Sequence, residues 1–110
     1  MSIKAKQIIS KDPADEITPA FGFAELLQPG ELIDGTPTVA EVGSSDLTIS
    51  NVAKNTVAMV VEGADHAISE AVTMKITGGT IKKTYDLKVT IVTDATVPNT
   101  YVRHGTLKVV

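Results

Sequence analysis

The sequence predicts an all-β protein that folds as one antiparallel β-sandwich of about seven strands. Apolar and polar residues alternate with period two in several segments, as half-buried strands require. Strands begin roughly every 10 to 15 residues after Gly, Asn, Ser or Pro turns, which favours a sandwich or barrel over βαβ units. The chain has 110 residues and no cysteine. It is therefore long enough for one core and folds without disulfides or thiolate-bound metal.

The clearest alternation lies in the C-terminal half of the chain. Residues 72–77 and 84–91 each place an apolar side chain at every second position. Residues 78–83 between them include two glycines, which adopt positive φ easily, so we predict a turn that joins these strands as a hairpin. Residues 102–110 alternate in the same way after a loop over residues 94–99. We expect this last strand to pair with its predecessor as an antiparallel meander.

The central part of the chain predicts shorter strands. Residues 36–42 and 47–49 are rich in β-formers and are separated by Gly, Ser and Asp. Residues 56–61 are the most apolar stretch and carry no charge, which favours a buried strand over an exposed edge that recruits a partner strand. Residues 19–27 have the spacing of one or two helical turns. Residues 64–71 are too short for an independent helix, so we expect a loop there.

These patterns also assign a core. The predicted core residues are the apolar members of the alternating segments and of the apolar run. They are Val39, Ile49, Val57, Met59, Val61, Met74, Ile76, Tyr85, Leu87, Val89, Ile91, Leu107 and Val109.

Composition argues against several classes of function. Ten Lys and Arg residues against 13 Asp and Glu residues give a net charge of -3, which is the wrong sign for a nucleic-acid binder. Aromatic residues make up 4% of the chain and Trp is absent, which disfavours stacking on sugars or bases. There is no apolar run of about 18 residues, and no apolar segment follows the N-terminal lysines. We therefore expect neither a membrane partner nor a secretory signal.

The sequence offers few groups for catalysis or metal binding. His66 and His104 are far apart and have no second imidazole at ligand spacing, so no metal or other cofactor is expected. Asp65, His66 and Ser69 include the residue types of a catalytic triad. Neighbours on one loop rarely reach triad geometry, however, so we predict that the protein is not an enzyme.

Several motifs resemble a family of small phage and prophage virion proteins. The resemblance is strongest over residues 11–15 and 72–110. Its motifs are Lys11-Asp12-Pro13, Pro29-Gly30-Glu31-Leu32-Ile33, the Gly78-Gly79-Thr80 turn before the strand that contains Tyr85, and the alternating end from Gly105. Family members usually carry Trp where this chain has Ala20-Phe21, and a compact Asp-Gly turn in place of the 94–99 loop. We expect Phe21 to fill the core position of the Trp.

The resemblance implies an immunoglobulin-like sandwich that acts as a fibre-to-tail adaptor, neck or capsid-decorating protein. We therefore expect a non-enzymatic virion structural protein that binds copies of itself and neighbouring capsid, neck or tail proteins. It would be found in the virion and, during assembly, in the host cytoplasm. An adhesion or carbohydrate-binding module is the alternative, because sandwiches of this size also serve that role. A small hydrolase built around His66 is a weaker alternative.

The N-terminal residues 1–12 are predicted to form an extended arm, and residues 13–110 to form the sandwich domain. Apolar and polar residues alternate weakly before the turn at Pro13. Such an arm can add as a strand to a neighbouring subunit and insert alternate side chains into pockets. The residues predicted to make that contact are Ile3, Ala5, Ile8 and Ile9. A frayed terminus is the alternative.

Overall fold

The computed structural model describes residues 7–61 and 63–110, and these contain nine β-strands and no helix. The all-β prediction is confirmed. The strands are β1 (Gln7–Lys11), β2 (Ala20–Gly22), β3 (Ile33–Val42), β4 (Leu47–Lys54), β5 (Met59–Val61), β6 (Ala64–His66), β7 (Ala71–Gly78), β8 (Thr84–Thr93) and β9 (Thr100–Val109). The number exceeds seven because the sequence assigned β1 to an arm and did not identify β2 and β6, which have three residues each and are too short for alternation to be recognised. Within the described ranges no helix is available to cross a membrane.

Two sheets form the sandwich, and a small hairpin is attached to it. The four-stranded sheet has the order β1-β9-β8-β3, and the three-stranded sheet has the order β2-β7-β4. Strands β5 and β6 pair only with each other in the described part of the chain. All pairings there are antiparallel except that of β1 with β9, which is parallel. The predicted meander of β8 and β9 is confirmed.

The core lies between the two sheets. Strand β8 buries every second residue from Tyr85 to Thr93, and β7 buries Val72, Met74 and Ile76 on the facing sheet. The other fully buried large side chains in this core are Phe21, Phe23, Ile33, Leu107 and Val109. The predicted core residues Val39 and Ile49 are half-buried and pack against its rim. Phe21 is buried as expected.

The predicted hairpin between β7 and β8 is wrong. The two strands lie in different sheets, so residues 79–83 cross from one sheet to the other. Period-two alternation identifies one buried face on each strand but does not identify the pairing partner. Here the two buried faces oppose each other across the core. Gly78 and Gly79 have φ values of 85° and 98°, and a Cβ on Gly79 would lie 2.8 Å from Cγ2 of Val109. The crossing therefore requires glycine.

Tyr85 fixes this crossing to the start of β8. Its hydroxyl accepts a hydrogen bond from the backbone N–H of Thr80 (2.8 Å) and donates one to Oδ2 of Asp46 (3.0 Å). Nζ of Lys83 lies 2.9 Å from the same oxygen. Lys83, and then Tyr85, lower the pKa of Asp46, and Asp46 raises the pKa of Lys83. Because both charged side chains are partly exposed, the pair contributes more to local geometry than to stability.

Two of the ambiguous segments differ from expectation. Residues 19–27 contain β2 followed by a single turn, in which the N–H groups of Leu26 and Leu27 both donate to the carbonyl of Phe23 (2.9 and 3.1 Å). The segment 64–71 is not only a loop, because it contains β6. The partners that hold these short pieces are distant in sequence, so local spacing could not identify them.

The loops gather at two opposite ends of the sandwich. We call the end with residues 23–32, 55–70 and 94–99 the hairpin end, and the end with residues 43–46 and 79–83 the crossing end. At the hairpin end the N–H of Phe23 donates a hydrogen bond to the carbonyl of Glu70 (2.9 Å). The ten residues of β8 separate the two ends by about 33 Å at ~3.3 Å per residue. The molecule is 43 Å long.

Candidate interaction surface

A buried asparagine holds the base of the β5–β6 hairpin. Asn55 is 4% exposed. Its Nδ2 donates to the carbonyl oxygens of Val57 and Ala67 (both 2.8 Å), and its Oδ1 accepts from the N–H groups of Glu70 and Ala71 (3.0 and 2.9 Å). Both donors and both acceptor positions of the amide are thereby used. The segments that enter and leave the hairpin are therefore fixed to each other.

The hairpin has an inner face on the sandwich and an outer face toward solvent. Val61 and His66 are 5% and 3% exposed and lie on the inner face. Val60 pairs with Asp65 across the hairpin, and both side chains are exposed on the other face. One short apolar strand therefore has a covered side and an open side.

The prediction that residues 56–61 belong to the core is wrong for Val57 and Val60, which are 65% and 67% exposed. Met59 is half-buried, and only Val61 is buried as predicted. The physical reason is that the hairpin has two strands and the sandwich covers one side of them. Ile68, just after β6, is 55% exposed and extends the apolar surface. The other interpretation of the sequence, an exposed apolar edge, describes this stretch better.

His66 is a packing residue of the inner face. Its Nδ1 donates to the carbonyl oxygen of Ala64 (2.9 Å), and a Cβ on Gly22 would lie 2.3 Å from its Nε2. The imidazole therefore lies directly against the backbone of β2. In the described ranges no hydrogen bond links His66 to Asp65 or Ser69, and no three His, Asp or Glu side chains are grouped to hold a metal ion.

A buried carboxylate joins two other loops of the hairpin end. Glu31 is 5% exposed. Its Oε2 accepts from Oγ1 of Thr93 (2.7 Å) and Nδ2 of Asn99 (2.8 Å), and its Oε1 accepts from the N–H of Gln28 (2.9 Å) and the hydroxyl of Tyr101 (3.1 Å). The N–H of Gln28, followed by Asn99 and Thr93, lowers the pKa of Glu31 to about 2. Burial, and then Glu31, raise the pKa of Tyr101.

Exposed apolar side chains concentrate at the hairpin end. We define the hairpin-end surface by six of them among the described residues: Leu32, Val57, Val60, Ile68, Val92 and Val97. Val97 is 78% exposed. Single exposed apolar residues are ordinary on a monomer, whereas a cluster marks a contact surface. Asn55 and Glu31 hold the loops that carry this surface, so the loops are ordered without a partner.

Of the four residues predicted to contact a neighbouring subunit, Ile8 and Ile9 lie in the described part of the chain, and their contact with a neighbour stays a prediction. Ile3 and Ala5 lie outside the described residues. The backbone of Ile8 pairs with Thr106 of β9, and its side chain is outside the described part. Ile9 pairs with Leu107, and its half-buried side chain packs against the core of its own chain. Residues 7–11 of the predicted arm thus form an edge strand of the same sandwich.

Sequence reasoning did not identify Asn55 or Glu31 as organisers of a surface. Glu31 lies in one of the motifs that carry the family resemblance, and that motif could have indicated a structural role for it. For Asn55, a lone amide between two apolar segments gave no comparable signal. The sequence shows Val60 as part of an uncharged run. Its exposure depends on which other strands cover it, and the run does not specify them.

Comparison with known families supplies the identity of the chain. A family model described as Podophage GP4 fiber-tail adaptor protein gp77 matches residues 11–107. Searches of curated proteins and of solved structures gave no significant match. The match extends from the end of β1 to β9 and confirms the resemblance to phage virion structural proteins. The chain therefore belongs to the family of the podophage GP4 fiber-tail adaptor protein gp77.

Proposed function

We propose that this protein is an adaptor between the tail and the fibre of a phage particle and acts by protein–protein contacts without catalysis. The observation that carries the proposal is the family match over residues 11–107, since the family is described by that role. This description favours an adaptor over a neck or decoration protein, and over the carbohydrate-binding and hydrolase alternatives. The role places the protein in the virion, after assembly in the host cytoplasm.

The proposed partners are tail and fibre proteins and further copies of the chain. The hairpin-end surface supports such contacts, because it is apolar, exposed and held by the buried Asn55 and Glu31. The net charge of -3 supports the exclusion of nucleic acid from the proposed partners, and we propose no membrane contact.

An immunoglobulin-like topology is part of the proposal. The facing orders β2-β7-β4 and β3-β8-β9 correspond to the B-E-D and C-F-G orders of immunoglobulin sandwiches. The hydrogen bond between Tyr85 and Thr80, five residues upstream, resembles the tyrosine corner of that fold. Such a sandwich is a rigid spacer with loops at two ends, which suits a protein that joins two others.

The N-terminal segment is a second proposed contact region. Among the described strands β1 pairs only with β9, so its other side is an edge to which a neighbouring strand can add. We propose that residues 1–6, which precede this edge, add to a neighbouring subunit in the particle, and their deletion leaves β1 in place. We expect the truncated protein to keep its unfolding midpoint and to lose incorporation into particles. Normal incorporation would reject this part of the proposal.

The adaptor role is tested on particles assembled without this protein. We expect these particles to keep their tails and to lack fibres in electron micrographs, and we expect the wild-type gene supplied in trans to restore the fibres. Particles that retain fibres, or that lose the entire tail, would contradict the role. Mass spectrometry of purified wild-type particles should also detect the chain.

A further inference from the structure

We propose that copies of this protein associate head to tail, with the apex of the 79–83 crossing of one copy seated in a hollow on the hairpin end of the next. The inference rests on the proposed function, because an adaptor works within an assembly and self-association would build part of that assembly. It specifies which two surfaces meet.

The receiving surface is an apolar hollow on the β5–β6 hairpin. Its lining consists of Ala58, Met59, Val60, Asp65, His66 and Ala67. Val60 is 67% exposed there, and the exposed Asp65 is its cross-strand partner. The hollow thus combines an apolar floor with one carboxylate.

The inserting surface is the tip of the crossing. Ile81 is 58% exposed at this tip and is followed by the exposed Lys82. The N–H of Lys82 donates to the carbonyl of Val109 (2.7 Å), and the N–H of Lys83 donates to the carbonyl of Thr80 (3.1 Å). These bonds hold the tip in shape, so Ile81 is presented as a fixed apolar projection next to a cation.

The two surfaces are complementary in charge as well as in polarity. The hairpin end carries the exposed acidic residues Glu25, Asp65 and Asp94. Lys54, the last residue of β4, lies next to this end and donates to the carbonyl of Ile33 (3.3 Å). Insertion of Ile81 into the hollow would bring Lys82 to the rim that contains Asp65. Opposite charges at such a rim favour this orientation over the contact of two hairpin ends.

The contact joins two unlike surfaces of the same chain. Because unlike surfaces meet, a pair of copies still has one free hollow and one free tip for further copies. Such contacts close into rings or continue as chains.

The test uses the purified full-length protein in sedimentation velocity experiments over a range of concentrations. We expect the wild type to form species larger than dimers as the concentration rises. Val60→Asp and Ile81→Asp should each remain monomeric, since each destroys one of the two surfaces. An equimolar mixture of the two variants retains one intact hollow and one intact tip, so it should form 1:1 dimers and nothing larger.

Control variants distinguish this arrangement from non-specific association and from misfolding. Val102→Asp, on the face of β9 and 40% exposed, should associate like the wild type. Asp65→Lys should weaken association several-fold, and the double variant Asp65→Lys with Lys82→Asp should restore it. Circular dichroism confirms that each variant is folded.

Three results would overturn the inference. These are a wild type that stays monomeric at ~1 mM, where even millimolar affinity is detectable, a mixture of Val60→Asp and Ile81→Asp that stays monomeric, or an Ile81→Asp variant that associates normally. The outcome is independent of the fibre-loss experiment, which is scored on particles. Failure here therefore leaves the adaptor role intact, and failure there does not affect the sedimentation result.

Discussion

Strand β8 and the β5–β6 hairpin are both rich in apolar residues, yet their environments differ. Leu87 in β8 is fully buried, because β9 and β3 flank it and β7 lies across the core. Val60 in β5 is 67% exposed, because the sandwich covers the hairpin from one side. The difference shows that apolar content predicts a strand, whereas the number of neighbouring elements decides its burial. An apolar strand with one open face is available for contacts.

The largest expected effect on the free energy of unfolding is at the buried strand β8. Leu87→Ala should lower the free energy of unfolding by about 2 to 4 kcal/mol, because the cavity it leaves is enclosed by two sheets. Val60→Ala, at the exposed side, should change it by less than about 0.5 kcal/mol. Urea unfolding of the purified variants measures both. A Val60→Ala variant as destabilised as Leu87→Ala would mean that the hairpin belongs to the core.

A smaller effect is expected at the base of the hairpin. Asn55→Ala removes four hydrogen bonds and leaves buried backbone groups without them, which should cost roughly 1 to 3 kcal/mol. Hydrogen exchange of residues 57–68 should accelerate more than that of β8. Asn51→Gly is the matched control, because Asn51 is exposed at a φ of 54°, which glycine tolerates. Equal acceleration of hydrogen exchange by the two substitutions would contradict the role of Asn55 in holding the hairpin.

The third prediction concerns pH and the other anchor of the hairpin end. The pKa of Glu31 is lowered to about 2 in the folded protein, so its stabilisation is complete above the unfolded pKa near 4.5 and is lost as the pH falls toward 2. Glu31→Gln should therefore be less stable than the wild type at pH 7. The difference should shrink between pH 5 and pH 3 in urea unfolding experiments. A pH-independent difference would show that the charge of Glu31 contributes nothing.

The sequence predicts the strands of the sandwich better than their arrangement. Alternation locates β7, β8 and β9, because each has one face against the core. It does not show that Gly78 and Gly79 turn the chain into the opposite sheet. Glu31 lies in a recognisable motif, but its partners Thr93 and Asn99 are 62 and 68 residues away. Such contacts depend on the complete fold and have no local pattern.

The exposure of residues 57 and 60 departs from a general rule about uncharged apolar runs. An uncharged run such as residues 56–61 is normally buried, because exposed apolar edges promote aggregation. Here the run is divided between Val61, which packs inward, and Val57 and Val60, which point outward. The departure from the rule coincides with the hairpin-end surface.

The central claim is the proposal that the hairpin end is the surface through which this protein is incorporated into the particle. It is tested most directly by quantitative mass spectrometry of particles from a deletion strain supplied with Val60→Asp, with Val102→Asp, or with the wild type. We predict that Val60→Asp unfolds at the same urea concentration as the wild type but is depleted from particles at least ~10-fold, a loss of about 1.4 kcal/mol of association free energy. We expect Val102→Asp to be incorporated normally. Incorporation of Val60→Asp at the wild-type level would contradict the claim.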